Sequence, residues 1–260
     1  MRIVVITLFP DLVGQVLAHG VLGRAVERGV LAVETVNPRD FVHDPHRTVD
    51  DRPYGGGPGM VLKAEPLRLA MQEATRRAPV ARRILLAADG RPLLQARVAE
   101  LAAAPELVLV AGRYEGVDER FVAECIDESI SVGDVVLSGG ELPALMVIDA
   151  VARLLPGTLG DAESAVQESF TDGLLDWPHY TRPEVWAGRA VPGVLLGGNH
   201  AAIARWRRKQ ALGRTLERRP DLLRQRELSG GERGLLDEYM AEQDATPNGA
   251  GMQPLRKGET

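Results

Sequence analysis

The chain opens on an apolar run, Met1 to Leu8, that ends at Phe9-Pro10-Asp11. A short apolar stretch closed by a breaker reads as a buried strand, here Arg2–Leu8. Helical spacing of apolar positions follows over Asp11–Ala18 and Gly20–Arg28, and Leu31–Val36 reads as a second strand. Residues 37–60 then lose all periodicity. They hold charged residues, prolines and the run Gly55-Gly56-Gly57-Pro58-Gly59, and so long a connection is functional or mobile in most compact domains. Pattern resumes with a helix near Ala64–Arg77, a strand at Ile84–Ala88, a helix at Leu93–Ala103 and a wholly apolar strand, Leu107–Ala111. Asp118–Cys125 reads as helical and Ser129–Val132 as short and extended. Leu142–Leu155 is apolar nearly all round, which predicts a helix buried on most faces. Strands alternating with helices, the strands almost continuously apolar, predict an α/β fold with a parallel sheet covered on both sides.

Residues 157–176 are a polar break. Beyond them the pattern turns wholly helical, at Ala201–Leu216, Pro220–Arg226 and Glu232–Glu242. The predicted organisation is an α/β domain over 1–156, a linker over 157–176, a small all-α domain over 177–243 and a disordered tail over 244–260. The tail is polar and contains Gly and Pro without any core-forming pattern.

Composition adds little until charge is mapped along the chain. The 45% hydrophobic and 26% charged residues are those of an ordinary globular protein. Cys125 is the single cysteine, so it forms no intramolecular disulfide and reads as a small buried hydrophobe in a reducing, cytoplasmic setting. The N-terminal apolar run is too short to span a membrane, and no small-residue cleavage site follows it. Net charge is -5, yet residues 201–226 carry nine positive and two negative groups, +7 in all, leaving -12 elsewhere. That asymmetry is what an acidic protein needs to hold an anionic partner, although a charge cluster by itself is more often a solvated helix face.

Three glycine-bearing segments fall where strands should end: Asp89-Gly90-Arg91, Gly112 to Gly116, and Gly133 to Glu141. Open α/β sheets bind ligands beyond the carboxyl ends of their strands, and glycine there lets backbone approach a ligand. Three such loops on one edge predict a pocket of backbone amides and carbonyls suited to a purine. Gly55–Met60 fails the dinucleotide fingerprint at Met60, and no phosphate-binding P-loop occurs anywhere. His43, Asp44, His46, Asp50 and Asp51 have spacing too loose to argue for a metal site, and none is assigned. Their carboxylates suit the N1–H or amino group of guanine.

Long stretches resemble one family in order. They are Asn37-Pro38-Arg39-Asp40, Thr48 to Met60, Gly112 to Arg120, Gly133-Asp134, Leu137 to Ala144, Ile148 to Arg153 and Asp172 to Pro183. Together they are similar to the bacterial tRNA (guanine-37-N1)-methyltransferases of the TrmD type, from residue 1 to about 240. The resemblance implies the SPOUT fold, in which the C-terminal part of the α/β domain forms a trefoil knot, against the usual avoidance of knots. It implies a homodimer with its active sites at the subunit interface, and S-adenosylmethionine in the knot loops. The cofactor contacts carried over are Leu86, Gly112, Tyr114, Glu115, Ser131, Val132, Gly133, Asp134, Val135, Val136, Leu137, Gly139, Gly140 and Pro143. Mg²⁺ assistance is a further implication, with no ligand set visible in the sequence.

Guanine N1 must lose its proton before it attacks a methyl group, and negative charge then spreads to O6. The site needs a base near N1 and a cationic donor near O6. The resemblance assigns the donor to Arg153. For the base the family has Asp just before Ser-Phe; here that position is Glu168, ahead of Ser169-Phe170, with Asp172 and Asp176 as competitors. Arg205, Arg207 and Arg208 are expected to hold tRNA phosphate, with Asp50, Ser164 and His179 as further RNA contacts. The rival readings are a SPOUT methyltransferase acting on another RNA or base position, an RNA-binding protein without catalysis, and a small-molecule enzyme of doubly wound fold. The last has no use for the basic segment.

Overall fold

A computed structural model describes residues 1–160 and 168–245, and the chain divides into two compact units, Met1–Ala165 and Val166–Thr260. The expected disordered tail lies outside the described residues from 246 onward, as does Ser164.

The first unit is built on a five-stranded sheet in the order β2-β1-β6-β5-β7, with β1 Arg2–Ile6, β2 Ala32–Val36, β5 Arg82–Pro92, β6 Glu106–Ala111 and β7 Glu128–Ser131. Every pairing is parallel. Both faces must then be covered by helices, and the side-chain alternation of the strands shows how. Ile3, Val5, Ile84, Leu86, Leu107 and Leu109 point to one face. There they meet α1 (Pro10–Leu17), α2 (Gly20–Glu27), α4 (Gln95–Ala102) and α6 (Glu141–Leu154). Val4, Ile6, Leu85, Val108 and Val110 point to the other, against α3 (Ala64–Arg77) and α5 (Glu119–Cys125). Cys125 is buried there, and that burial raises its thiol pKa.

The predicted elements of this unit agree with the structure to within a few residues. Two features differ. The stretch without periodicity contains a 3₁₀ turn, Pro38–Phe41, and a small antiparallel pair, β3 (Asp50–Asp51) with β4 (Val61–Leu62). Helix α6 is also not covered all round: Leu142 is 52% and Met146 50% exposed, on one stripe with exposed Asp149. Among the described residues no helix is long and apolar enough to cross a membrane.

The pairing of β5 with β7 is interrupted beyond Leu86. Ile84–Leu86 pair with 128–130, and after an irregularity Arg91 and Pro92 pair with Ile130 and Ser131. A Cβ at Gly90 would lie 2.5 Å from the backbone of Ile130, so only glycine permits this close approach.

The second unit contains α7 (His200–Arg218), α8 (Pro220–Arg224) and α9 (Gly230–Ala245). It is not wholly helical, which corrects the all-α expectation. Val185–Trp186 (β8) pairs antiparallel with Arg189–Ala190 (β9). The two residues between them, Ala187 and Gly188, have φ of 49° and 77°, the left-handed pair of a tight hairpin turn. The predicted linker also does not end at a boundary. Leu174 is buried with Ala211 and Leu212 in the core of this unit. Gly213 lets the Tyr239 ring of α9 lie directly on α7, where a Cβ would collide with it.

Candidate active site

At the carboxyl ends of β5, β6 and β7 lies a cavity of about 550 Å³, within the size range of small-molecule sites. Three chain segments line most of it, with Glu119 and Val122 of α5. The segments are Leu85 to Asp89, Gly112 to Val117, and Ser129 onward through Gly140 to Pro143 at the start of α6. Thirteen of the fourteen expected cofactor residues are on its wall; Asp134 is not. Val135, Val136 and Leu137 form an exposed apolar lip.

Local backbone chemistry shapes this cradle. Gly140 N–H donates to Gly112 O at 2.8 Å, and a Cβ on Gly140 would lie 2.7 Å from Ala111 Cα. Tyr114 holds φ at 62°, a left-handed conformation that a non-glycine residue adopts only under constraint. The constraint is visible. Glu115 N–H donates to Met60 O at 3.0 Å, Leu62 N–H to Gly116 O at 2.9 Å and Asp118 N–H to Leu62 O at 3.0 Å. The aperiodic segment is thereby stitched to the cavity wall, and Gly59 leaves room for the Glu115 side chain.

Beneath the wall is a buried charge network that sequence reasoning missed. Glu141 is 1% exposed. Its Oε1 accepts from the Thr7 hydroxyl at 2.9 Å and its Oε2 from Arg113 Nε at 2.9 Å. Arg113 also donates to Ser138 O at 3.0 Å and stacks over the Phe9 ring, 4.3 Å from its centroid. Each oxygen of this buried carboxylate thus has a hydrogen-bond partner, as a buried polar group requires, and Glu141 sits in the first turn of α6. The network joins the end of β1 to both glycine loops. Its members are up to 134 residues apart, so the only signal in the sequence was two charged residues inside glycine-rich turns.

Among the described residues no group of three or more His, Cys, Asp or Glu is placed to hold a metal ion. Asp44 turns its carboxylate on its own loop, accepting from His46 N–H and from the Thr48 N–H and hydroxyl. These bonds, that from the Thr48 backbone foremost, lower its pKa. Asp50 is half-buried in β3, opposite Leu62.

The expected catalytic pair is not brought together within the first unit. Arg153 is in the last turn of α6, ten residues beyond Pro143, or about 15 Å along the helix axis, and is not on the cavity wall. Glu168 belongs to the second unit and lines a separate cavity there of about 470 Å³, with Asp172, Asp176, Trp177, Arg207 and Arg208. His179 Nε2 is 2.8 Å from Asp176 Oδ2. Arg207 lies over the Trp177 ring at 4.8 Å.

The basic segment changes its meaning in three dimensions. Arg205 pairs with Glu238, Lys209 with Glu242, Arg219 with Asp221, and both Arg208 and Arg226 with Glu232. At least five of its nine positive groups are thus engaged by carboxylates, mostly from α9. Arg205 and Arg208, both expected on phosphate, are among them.

A family model described as tRNA (Guanine-1)-methyltransferase TrmD matches residues 1–225. The chain belongs to the TrmD family. Proteins named tRNA (guanine-N(1)-)-methyltransferase are similar over nearly their whole length. That of Alcanivorax borkumensis is 60% identical over 247 residues, covering 93% of each chain. That of Methylococcus capsulatus is 60% identical over 249 residues, 95% of this chain and 99% of the relative. That of Pseudomonas entomophila is 56% identical over 245 residues, 94% and 98%. In this TrmD-family chain the glycine loops line one cavity, and the buried Glu141–Arg113 pair lies beneath its wall.

Proposed function

We propose that this chain methylates N1 of guanine in tRNA, at position 37 beside the anticodon, using S-adenosylmethionine. Membership of the TrmD family carries the activity. The cofactor assignment is supported by the fit of the cradle: about 550 Å³, apolar at its lip, rich in backbone donors and acceptors, with Gly140 backed by backbone where any Cβ would fill the space. When bound, S-adenosylmethionine supplies the electrophilic methyl group. The trefoil-knot reading of this cradle rests on the family resemblance, and the break in register between Leu86 and Arg91 is compatible with it.

The remaining work falls to the chain's own residues. Glu168 accepts the N1 proton, and Arg153 donates to O6, where charge collects. A guanidinium stays charged throughout, so it suits that place. The separation of Arg153 from the cavity wall in one chain favours a homodimer, in which a second copy completes each site and covers the Leu142–Met146 stripe. Basic residues of 201–226, with Asp50, Ser164 and His179, bind the RNA. Arg207, stacked on Trp177 rather than ion-paired with α9, is the better candidate for phosphate than Arg205 or Arg208. A target base must leave its stack to reach a pocket, which an anticodon-loop guanine does at low cost. We assign no step to Mg²⁺.

The test is single-turnover methyl transfer to tRNA carrying guanine or adenine at position 37. Glu168→Gln should lose about 100-fold or more in rate, in the range for removing a general base, while still binding cofactor. Full activity in that variant, or equal methylation of the adenine substrate, would overturn the assignment.

A further inference from the structure

The turn that carries Glu168 is held from several sides. Phe170 N–H donates to Leu174 O at 2.7 Å, Thr171 N–H to Glu168 O at 3.3 Å and Asp176 N–H to Ser169 Oγ at 3.0 Å, so residues 168–176 form one hydrogen-bonded piece. Helix α7 grips that piece twice: the Thr215 hydroxyl accepts Leu175 N–H at 2.9 Å, and Arg208 pairs with Asp172. Arg226, just past α8, donates to the Asp172 carbonyl at 2.8 Å.

Both arginines converge on one carboxylate oxygen. Glu232 Oε1 is 2.5 Å from Arg208 Nη2 and 2.7 Å from Arg226 Nη2. Its other oxygen has a different task. Oε2 accepts Ser229 N–H at 2.8 Å while Glu232 N–H donates to Ser229 Oγ at 3.2 Å, a reciprocal cap on the start of α9. The side chain is 13% exposed. Burial alone would raise its pKa, but the Ser229 backbone and Arg208 outweigh that and hold it down at about 2. It is a fixed negative charge at any working pH. A capping box needs no charge, since Gln serves as well as Glu. Two arginines held side by side do need one.

We propose that Glu232, acting through Arg208 and Arg226, is a positioning residue for methyl transfer: it locks the 168–176 turn in the geometry from which the Glu168 carboxylate reaches its proton. The inference rests on the reading of Glu168 as the base. A general base works only within hydrogen-bond reach of the proton it takes, and a turn of nine residues has no such precision unless it is clamped.

Glu232→Gln separates the two tasks, because it keeps the cap and removes the charge. Ser229→Ala does the converse. Single-turnover methyl transfer by the full chain is measured with saturating S-adenosylmethionine and tRNA, from neutral to alkaline pH. At neutral pH Glu232→Gln should be slower by about tenfold or more, since a displacement of about 1 Å can cost about 100-fold. The deficit should shrink at alkaline pH, where guanine N1 ionises without a base, and tRNA affinity should stay within about twofold. Ser229→Ala should match the unsubstituted protein. An unslowed Glu232→Gln, a deficit equal at every pH, or the same deficit in Ser229→Ala would overturn the proposal. Glu168→Gln, run in parallel, distinguishes the failures. If it is fully active, the base assignment falls; if it is inactive while Glu232→Gln is not slowed, only the positioning role falls.

Discussion

The two units are held together by different physics. The first buries two apolar layers, one on each face of a parallel sheet, and its strands β1 and β6 are almost free of exposed side chains. Among the described residues the second has a small core, Leu174, Ala211 and Leu212 with four leucines packed partly against them, and the buried Tyr239 ring between its helices. It compensates with ion pairs between α7 and α9 and with the shared carboxylate of Glu232. Apolar burial carries no charge to screen or titrate, whereas paired charges are screened by salt and titrate with pH. The glycine-loop cavity therefore sits on the first unit and the candidate base on the more charge-dependent second one.

That contrast can be broken experimentally. All three tryptophans, Trp177, Trp186 and Trp206, are in the second unit, so their fluorescence reports on it alone. The largest effect on stability should come from Ile148→Ala, a fully buried α6 residue facing the sheet. It should cost about 2–5 kcal/mol by loss of burial and the cavity left behind. Circular dichroism should register this as a lowered melting transition, and a loss below about 1 kcal/mol would mean the sheet unit is not held as described.

Gly213→Val comes next. Its side chain would enter the space of the Tyr239 ring, and overpacking of this kind costs about 1–3 kcal/mol. Here tryptophan fluorescence should move first. If it does not, the contact of α7 with α9 contributes little to the unit.

The smallest effect is a titration. Glu232 is held at about 2 in the folded chain against 4.5 for the free side chain. A depressed carboxyl contributes stability that is complete above the ordinary value, and protonation removes it as pH falls from about 4.5 towards 2. The tryptophan signal should therefore report partial acid unfolding in that window, and Glu232→Gln should flatten the response. An identical acid profile in the variant would show that the shared carboxylate adds no stability.

Residue patterns made the sheet unit legible because both its strands and its helices carry local periodicity. Helix α3 runs over Ala64–Arg77 as its spacing predicts. The hairpin at Val185–Ala190 escaped notice because it is very short and its turn depends on Ala187 and Gly188 taking left-handed φ, which no hydrophobic pattern records. The local charge of the basic segment overstates its free positive surface because the acids that neutralise much of it, Glu232, Glu238 and Glu242, lie later in the chain. Among site residues, the glycines were found by type and position, while Glu141 and Thr7 were not, since a contact across 134 residues leaves no local trace.

The amino-acid order alone determined the alternation of strands and helices, the place of the glycine loops at strand ends and the family to which the chain belongs, because each of these is written in neighbouring residues. Tertiary structure alone decided that Arg113 and Glu141 form a buried pair, that Arg208 and Arg226 share one carboxylate, and that Arg153 stands away from the cradle of its own chain. Those outcomes depend on which distant side chains meet and lose their water together, and the energy of a charge is set by that company rather than by its position in the sequence.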